Sequence, residues 1–241
     1  MPMWNKLYFQ NSNSPIMEHL MFFHDHSMMI IIIATIMTFY IMMNSIMNKK
    51  NNRFLSEANQ MEIFWTTLPA IMLMFIAIPS LKTLYLMEES MNPSITIKTM
   101  GLQWFWNYEY SELKNIKLNS MIMKSNKIRI MNTSNKLMIP SMTPTRMLIT
   151  SKDVIHSWTI PSLGVKVDAI PGRMNQIFIM IKRPSIMLGQ CSEICGAGHS
   201  FMPIMLESSS MNMFLKNISL SGWKSISLLN YFMVNTLNEN L

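Results

Sequence analysis

Residues 189–202 read GQCSEICGAGHSFM. Cys191, Cys195, His199 and Met202 stand here at offsets of 0, 4, 8 and 11, and the two cysteines are the only ones in the chain. Thiolate, imidazole and thioether groups suit copper, zinc or iron–sulfur chemistry. Gly189, Gly196 and Gly198 allow the loop to turn these side chains toward one point, because glycine reaches backbone angles closed to other residues. Another histidine, His156, lies thirty-five residues earlier in DVIHSW, just before a turn expected at Pro161. Two histidines, one cysteine and a weak methionine are the ligands of a blue-copper site. With a second cysteine at hand, two bridging thiolates would allow a pair of copper ions. The same donors also satisfy a Cys2His2 zinc site or, in an oxidising compartment, a Cys191–Cys195 disulfide. Met202 favours copper, since zinc makes little use of thioether ligands.

A ligand at an earlier strand end, with the rest on one late loop, calls for a β-domain. The chain supplies one after Glu88-Glu89. PSITIKTM (93–100) alternates apolar and polar residues, as do parts of NKIRIMN (126–132) and TRMLITS (145–151), and QIFIMIK (176–182) reads as a buried or edge strand. Pro140, Pro144, Pro161, Pro171-Gly172 and Pro184 punctuate the runs. Short strands with regular turn residues predict an all-β sandwich or barrel over about 91–225. Residues 226–241 carry the apolar patch ISLLNYFMV, too short to span a membrane.

Upstream the texture is different. Residues 27–48 contain no charge and follow HDH at 24–26, and residues 63–81 form a second uncharged run between Glu62 and Lys82, extendable to Met87. At about 1.5 Å per residue each can cross a hydrocarbon core of about 30 Å. Pro69 and Pro79 lie inside the second run, and membrane helices tolerate them when neighbours satisfy the freed carbonyls. Helices over about 27–48 and 62–87 therefore make a hairpin in a segment spanning 1–90. Lys49, Lys50 and Arg53 in the connection keep the short loop 49–61 on the insertion side and put both termini across the membrane. Asp25 suits a helix N-cap, so HDH reads as structural rather than as a metal cluster. The opening residues have no basic stretch followed by an apolar core, so no cleavable secretory signal is expected.

Composition agrees with a membrane-anchored domain. Of 241 residues 49% are hydrophobic and only 14% charged, with a net charge of +7, against about 25% charged in soluble domains. The basic residues are scattered, so nucleic acid is not an expected partner. The 30 Met residues fall where Leu and Ile would, and Met replaces them in helices and cores.

GQCSEICGAGHSFMP closely resembles the binuclear copper loop of the cytochrome c oxidase subunit 2 family. The likeness extends through SPIMEHLMFFHDH, EIFWTTLPAIMLMFIAIPSLKTLYLMEE, TMGLQWFWNYEYSE, SKDVIHSWTIPSLGVKVDAIPGR and RPSIMLGQCSEICGAGHSFMPI. It is weak over 111–137 and ends near 226. Length and Met usage resemble a mitochondrially encoded member. The resemblance implies a two-helix transmembrane hairpin followed by a cupredoxin-like barrel. It also implies copper ligands at His156, Cys191, Cys195, His199 and Met202, with the Glu193 backbone carbonyl completing the set. The Glu193 side chain would face a magnesium site shared with subunit 1, and Asp168 and Arg173 would lie near that junction, although a simple turn ion pair explains those two equally well. Trp104 matches the family's electron entry point from cytochrome c, and Leu102 departs from the polar residue usual beside it. Glu62 would mark the entrance of a proton path into subunit 1. The implied setting is the mitochondrial inner membrane, with the copper domain and both termini in the intermembrane space and loop 49–61 in the matrix. Further oxidase subunits and the lipid bilayer complete the expected partners.

One feature runs against the pattern. The family docks a basic cytochrome c through acidic residues, yet from residue 88 onward this chain has fifteen Lys and Arg against nine Asp and Glu. Glu109, Glu112 and Asp153 are the docking candidates. A net positive domain opposes long-range steering of a cation.

Overall fold

Pro15 opens the first helix of the computed structural model, which describes residues 4–50, 54, 56–89, 92–113, 116–124 and 128–220. Proline fits a first helical turn because its missing N–H would be unpaired there anyway. The helix, α1, runs Pro15–Met47, and a second, α2, runs Asn59–Glu88. Both start before the uncharged runs do, since Glu18 and Glu62 sit in first turns, where acidic groups complement the helix dipole. Asp25 is therefore not an N-cap: α1 is already almost three turns old there. The apolar 18-residue windows of both helices are 0% buried within the chain, so neither serves as a core helix of this fold. Ile31, Ile32, Ile33, Ile36 and Met37 are all exposed and cover every side of α1. A helix apolar all round needs a hydrocarbon environment.

The prolines of α2 explain one histidine. Pro79 has no N–H to give the carbonyl of Phe75, four residues earlier. His26 Nε2 lies 3.1 Å from that carbonyl oxygen and, as the N–H tautomer, donates the missing bond. Thr83 Oγ1 donates to the Pro79 carbonyl at 2.9 Å. Within HDH it is His26 that has a structural role, through its bond to the Phe75 carbonyl rather than through the N-cap expected at Asp25.

The chain divides into two units, Ile16–Glu89 and Met1–Pro15 with Ser90–Leu241. The first residues thus pack with the β-domain rather than with the helices, unlike the grouping of 1–90 drawn from hydropathy. Asn13 is the reason. Its amide donates to the Arg183 carbonyl at 3.0 Å and to Ser185 Oγ at 2.7 Å, and its Oδ1 accepts from the Arg183 N–H at 2.9 Å. Ser14 Oγ donates to the Leu163 carbonyl at 2.7 Å.

Among the described residues ten strands build the β-domain: β1 (Ile95–Leu102), β2 (Phe105–Tyr110), β3 (Lys117–Ser120), β4 (Leu137–Pro140), β5 (Thr145–Ser151), β6 (His156–Ile160), β7 (Val165–Ala169), β8 (Asn175–Ile179), β9 (Ser185–Gln190) and β10 (Pro203–Ser209). One sheet has the order β3-β2-β1-β5-β8, another β4-β10-β9, and β6 pairs with β7. β1 and β5 are parallel, Ile95 facing Thr145. Alternation carries through: every second residue of β2 and β5 is buried. NKIRIMN forms no strand over its described residues, which make a turn, because Ile130 takes a φ of 66°. QIFIMIK is a strand only to Ile179.

Trp106, Tyr108, Tyr110 and Trp158 are at most 2% exposed and dominate the core. Their polar atoms are matched. Trp158 Nε1 donates to Tyr108 Oη at 3.4 Å, and Tyr110 Oη donates to the Met138 carbonyl at 2.8 Å while accepting from its N–H at 3.0 Å. Burial pushes both phenols well above their usual pKa, so they stay neutral. A short helix not foreseen from the strand pattern, α3 (Met211–Leu220), buries Phe214 and Ile218 on one face. Arg53 of the basic loop and the tail 226–241 lie outside the described residues.

Replacing His26 by Phe removes the donor to the Phe75 carbonyl. The helix pair is expected to lose about 0.6–1.7 kcal/mol, read as an earlier unfolding midpoint when the purified chain is titrated from a mild detergent into dodecyl sulfate.

Candidate metal centre

The donors meet because two strands hold them and a third lets them approach. His156 is the first residue of β6 and is 0% exposed. The other donors lie on the loop 191–202 between β9 and β10. Its base is closed by the pairing of Gln190 with Pro203 and Gly189 with Ile204. A Cβ at Gly189 would collide with the Thr159 carbonyl oxygen of β6, so β9 lies directly against β6. The Ser192 N–H then donates to the Ser157 carbonyl at 3.1 Å, and Cys191 is delivered to His156.

Two of the three glycines thus work differently from the expectation of unusual angles. Gly196 alone among them has a positive φ, 122°. Gly189 and Gly198 are needed for close approach. Gly101 of β1, absent from the sequence reasoning, belongs with them: a Cβ there would stand 2.8 Å from His156 Cδ2.

His156 Nε2 is 2.8 Å from Asp153 Oδ1 and its Nδ1 is 4.0 Å from Cys191 Sγ. Asp153 also accepts from the Gln103 and Val154 N–H groups, each at 2.6 Å. Cys195 Sγ lies 3.5 Å from His199 Nδ1 and 3.5 Å from Met202 Sδ. Cys191 Sγ is 3.3 Å from the Glu193 carbonyl oxygen. Ligand atoms of His156, Cys191 and Cys195 all lie within 4.8 Å of one another. The cysteines are free and buried, so no disulfide joins them.

Electrostatics separates the two thiols. Burial pushes Cys191 up, but bonds from His156, the Ser157 N–H and His199 outweigh it and bring its pKa to about 7. Burial and the adjacent Cys191 push Cys195 up to about 12. Two thiolates this close cannot both ionise in a buried pocket without a cation. Burial opposes a charged His156, yet its bonds to Cys191 and Asp153 raise its pKa; Asp153, despite the same penalty, is lowered by His156 and two backbone N–H groups. Asp153 thereby fixes the ring so that Nδ1 faces the sulfur atoms, the usual arrangement around a metal-binding histidine. The donor set fits a metal: two sulfurs, two imidazole nitrogens, a thioether and a carbonyl oxygen exceed the four positions of a structural zinc site.

Aromatic groups shield this cluster. Trp106 Nε1 donates to the Met202 carbonyl at 3.3 Å, and its ring meets the His156 ring at 5.9 Å, edge on. Trp104, 39% exposed, lies in the turn between β1 and β2. Its indole covers Gly198, where a Cβ would collide with Cδ2, and Gln103 Nε2 donates to the Cys195 carbonyl at 2.9 Å. The signal for Asp153 was visible as D-x-x-H in DVIH; those for Gln103 and Trp106 were not.

The remaining candidates stand apart. Glu109 pairs with Lys117 at 3.3 Å, and the Glu112 carboxylate accepts from the Thr96 N–H at 2.8 and 2.9 Å. Asp168 and Arg173 are exposed, and no ion pair joins them among the described residues. The turn-pair reading therefore fails. Glu193 is half-buried and Glu62 exposed in the first turn of α2.

Residues 2–83 match the family model described as cytochrome C oxidase subunit II, transmembrane domain, and residues 95–209 the one described as its periplasmic domain. A cytochrome c oxidase subunit 2 from Yponomeuta malinellus is 52% identical over 224 residues, covering 91% of this chain and 98% of that protein. The counterpart from Ctenocephalides felis is 52% identical over 221 residues, covering 90% and 97%. Among solved structures, the periplasmic domain of subunit II of cytochrome oxidase from Bradyrhizobium japonicum superposes with a TM-score of 0.53 at 32% identity, over 55% of this chain and 96% of that one.

Gly198→Ala should expel the indole of Trp104 from the loop. The expected outcome is a red-shifted tryptophan emission with easier iodide quenching, and an unchanged spectrum would contradict the packing. Asp153→Ala should weaken metal uptake by about 10–100-fold, measured by competition with a chelator.

Proposed function

The chain belongs to the cytochrome c oxidase subunit II family and is thus a membrane subunit of an oxidoreductase, and we propose that it is the complex's electron-entry subunit. In this reading it takes electrons one at a time from cytochrome c and delivers them to the haem-bearing subunit 1, where oxygen is reduced with proton pumping. His156, Cys191, Cys195, His199, Met202 and the Glu193 carbonyl would hold two copper ions. When bound, the copper pair would supply a one-electron redox carrier. The observation that carries the reading is the pair of buried free thiols flanked on one side by His156 and on the other by His199 and Met202.

The protein's own contribution is rigidity and exclusion of water. Asp153 orients His156, Trp106 walls the pocket, and the paired ends of β9 and β10 fix the loop. Trp104 would be the entry group, with one part of its indole in solvent and another against the loop of Cys195. Glu193 would offer its carboxylate to magnesium at the boundary with subunit 1, near Asp168 and Arg173. Glu62 would stand at a proton-path entrance. The setting proposed is the mitochondrial inner membrane, with the β-domain in the intermembrane space and loop 49–61 in the matrix, as the loop lysines favour.

The docking acids are already engaged: Glu109 with Lys117, Glu112 with Thr96, and Asp153 with His156. Ile194 and Phe201 of the loop and Ile155, next to His156 in the chain, are exposed, so contact with cytochrome c would rest more on apolar surface than on steering.

Copper analysis of the purified full-length chain should give two ions per chain and paramagnetic resonance of one electron shared by two copper nuclei. Cys191→Ser or Cys195→Ser should abolish that signal. One copper per chain, the ratio of a simple copper carrier, would refute the reading. For the assembled oxidase, turnover with cytochrome c should fall only gently as ionic strength rises from about 10 to 150 mM; a steep fall would restore electrostatic steering.

A further inference from the structure

We propose a second ligand site in the β-domain unit, a cavity that takes a phosphate-bearing anion. The cavity has a volume of about 620 Å³, within the range of small-molecule sites. Lys6 and Gln10 of the N-terminal segment form one wall, Ser162 and Arg183 another, and Ile186 and Leu188 of β9 an apolar flank. Among the described residues no carboxylate lines it. Neither Lys6 nor Arg183 makes an ion pair among the described residues. Two cations facing one cavity without a counter-charge repel each other, and an anion relieves that repulsion.

The cations are not both loose side chains. Arg183 is held from two directions: its backbone N–H donates to Asn13 Oδ1 at 2.9 Å, and its Nη2 donates to the Ser12 carbonyl at 2.7 Å. That leaves the other guanidinium N–H groups for a ligand, in the planar fork that matches phosphate oxygens. Ser162 is 8% exposed and its hydroxyl has no hydrogen-bond partner, a cost that persists until some group supplies one. Lys6, an exposed lining residue, adds a compact point charge. The apolar flank, with Ile186 55% exposed, accommodates the organic part of an organophosphate. Such a phosphate could belong to a free solute or to a lipid headgroup, for Asn13, which also borders the cavity, stands two residues before α1.

Calorimetric titration of the full chain in uncharged detergent, once with inorganic phosphate and once with a short-chain phosphatidic acid, tests the site. At least one probe should bind saturably, and the double variant Lys6→Gln, Arg183→Gln should bind it about tenfold more weakly or worse with its copper content unchanged. Binding of inorganic phosphate assigns a soluble source, and binding of the lipid alone a headgroup. Should the double variant lose its circular dichroism spectrum, Lys6→Gln alone carries the test, since Lys6 is exposed and outside the core. No saturable binding of either probe, or equal affinity in parent and variant, overturns the proposal.

Discussion

Two sulfur atoms that would repel each other as thiolates are held side by side in a buried pocket, and most of the β-domain serves that constraint. Cys191 ionises near neutrality, while its charge and burial keep Cys195 protonated. The pair is thus built for positive charge from outside. A surface loop could not maintain such a pair, because solvent and backbone freedom would let the thiols separate. Here the loop is pinned at its base by β9 and β10 and across its middle by Gln103 and Trp104.

Close approach is the means throughout. Gly189 lets β9 touch the backbone of β6, Gly101 makes room for the His156 ring, and Gly198 lies under an indole. At each place the absent side chain matters more than any present contact. Asp153 completes the arrangement by fixing the opposite edge of the imidazole. Asp153, first considered for its surface charge, stays exposed yet engages the buried His156 ring, and the half-buried Glu112 closes the start of β1.

The local signals were legible where one physical rule dominated. Uncharged length disclosed the two helices, period-two alternation disclosed β1 and β5, and the donor chemistry of Cys191, Cys195, His199, Met202 and His156 pointed to side chains that the fold brings together. What remained hidden depended on packing between distant segments. Nothing local marks Asn13 as the residue that fastens the N-terminal segment to β9 and Arg183, and hydropathy placed it with the helices instead. The turn over 128–131 defeated the alternation of NKIRIMN because Ile130 adopts a left-handed angle. Helix starts moved outward since polar residues such as Glu18 and His24 remain helical at the end of an apolar run.

The parallel pairing of β1 with β5 joins Ile95 to Thr145, and His156 enters the pocket only from the strand beyond. Such pairings close long stretches of chain before they reward it. The donors come from one strand near the middle of the domain and one loop close to its end, so the loop groups Cys195, His199 and Met202 locally, while His156 joins them only through the seating of β9 against β6. Full convergence of the donor cluster thus depends on contacts between segments far apart in the chain, and any change that lifts β9 from β6 would part His156 from Cys191.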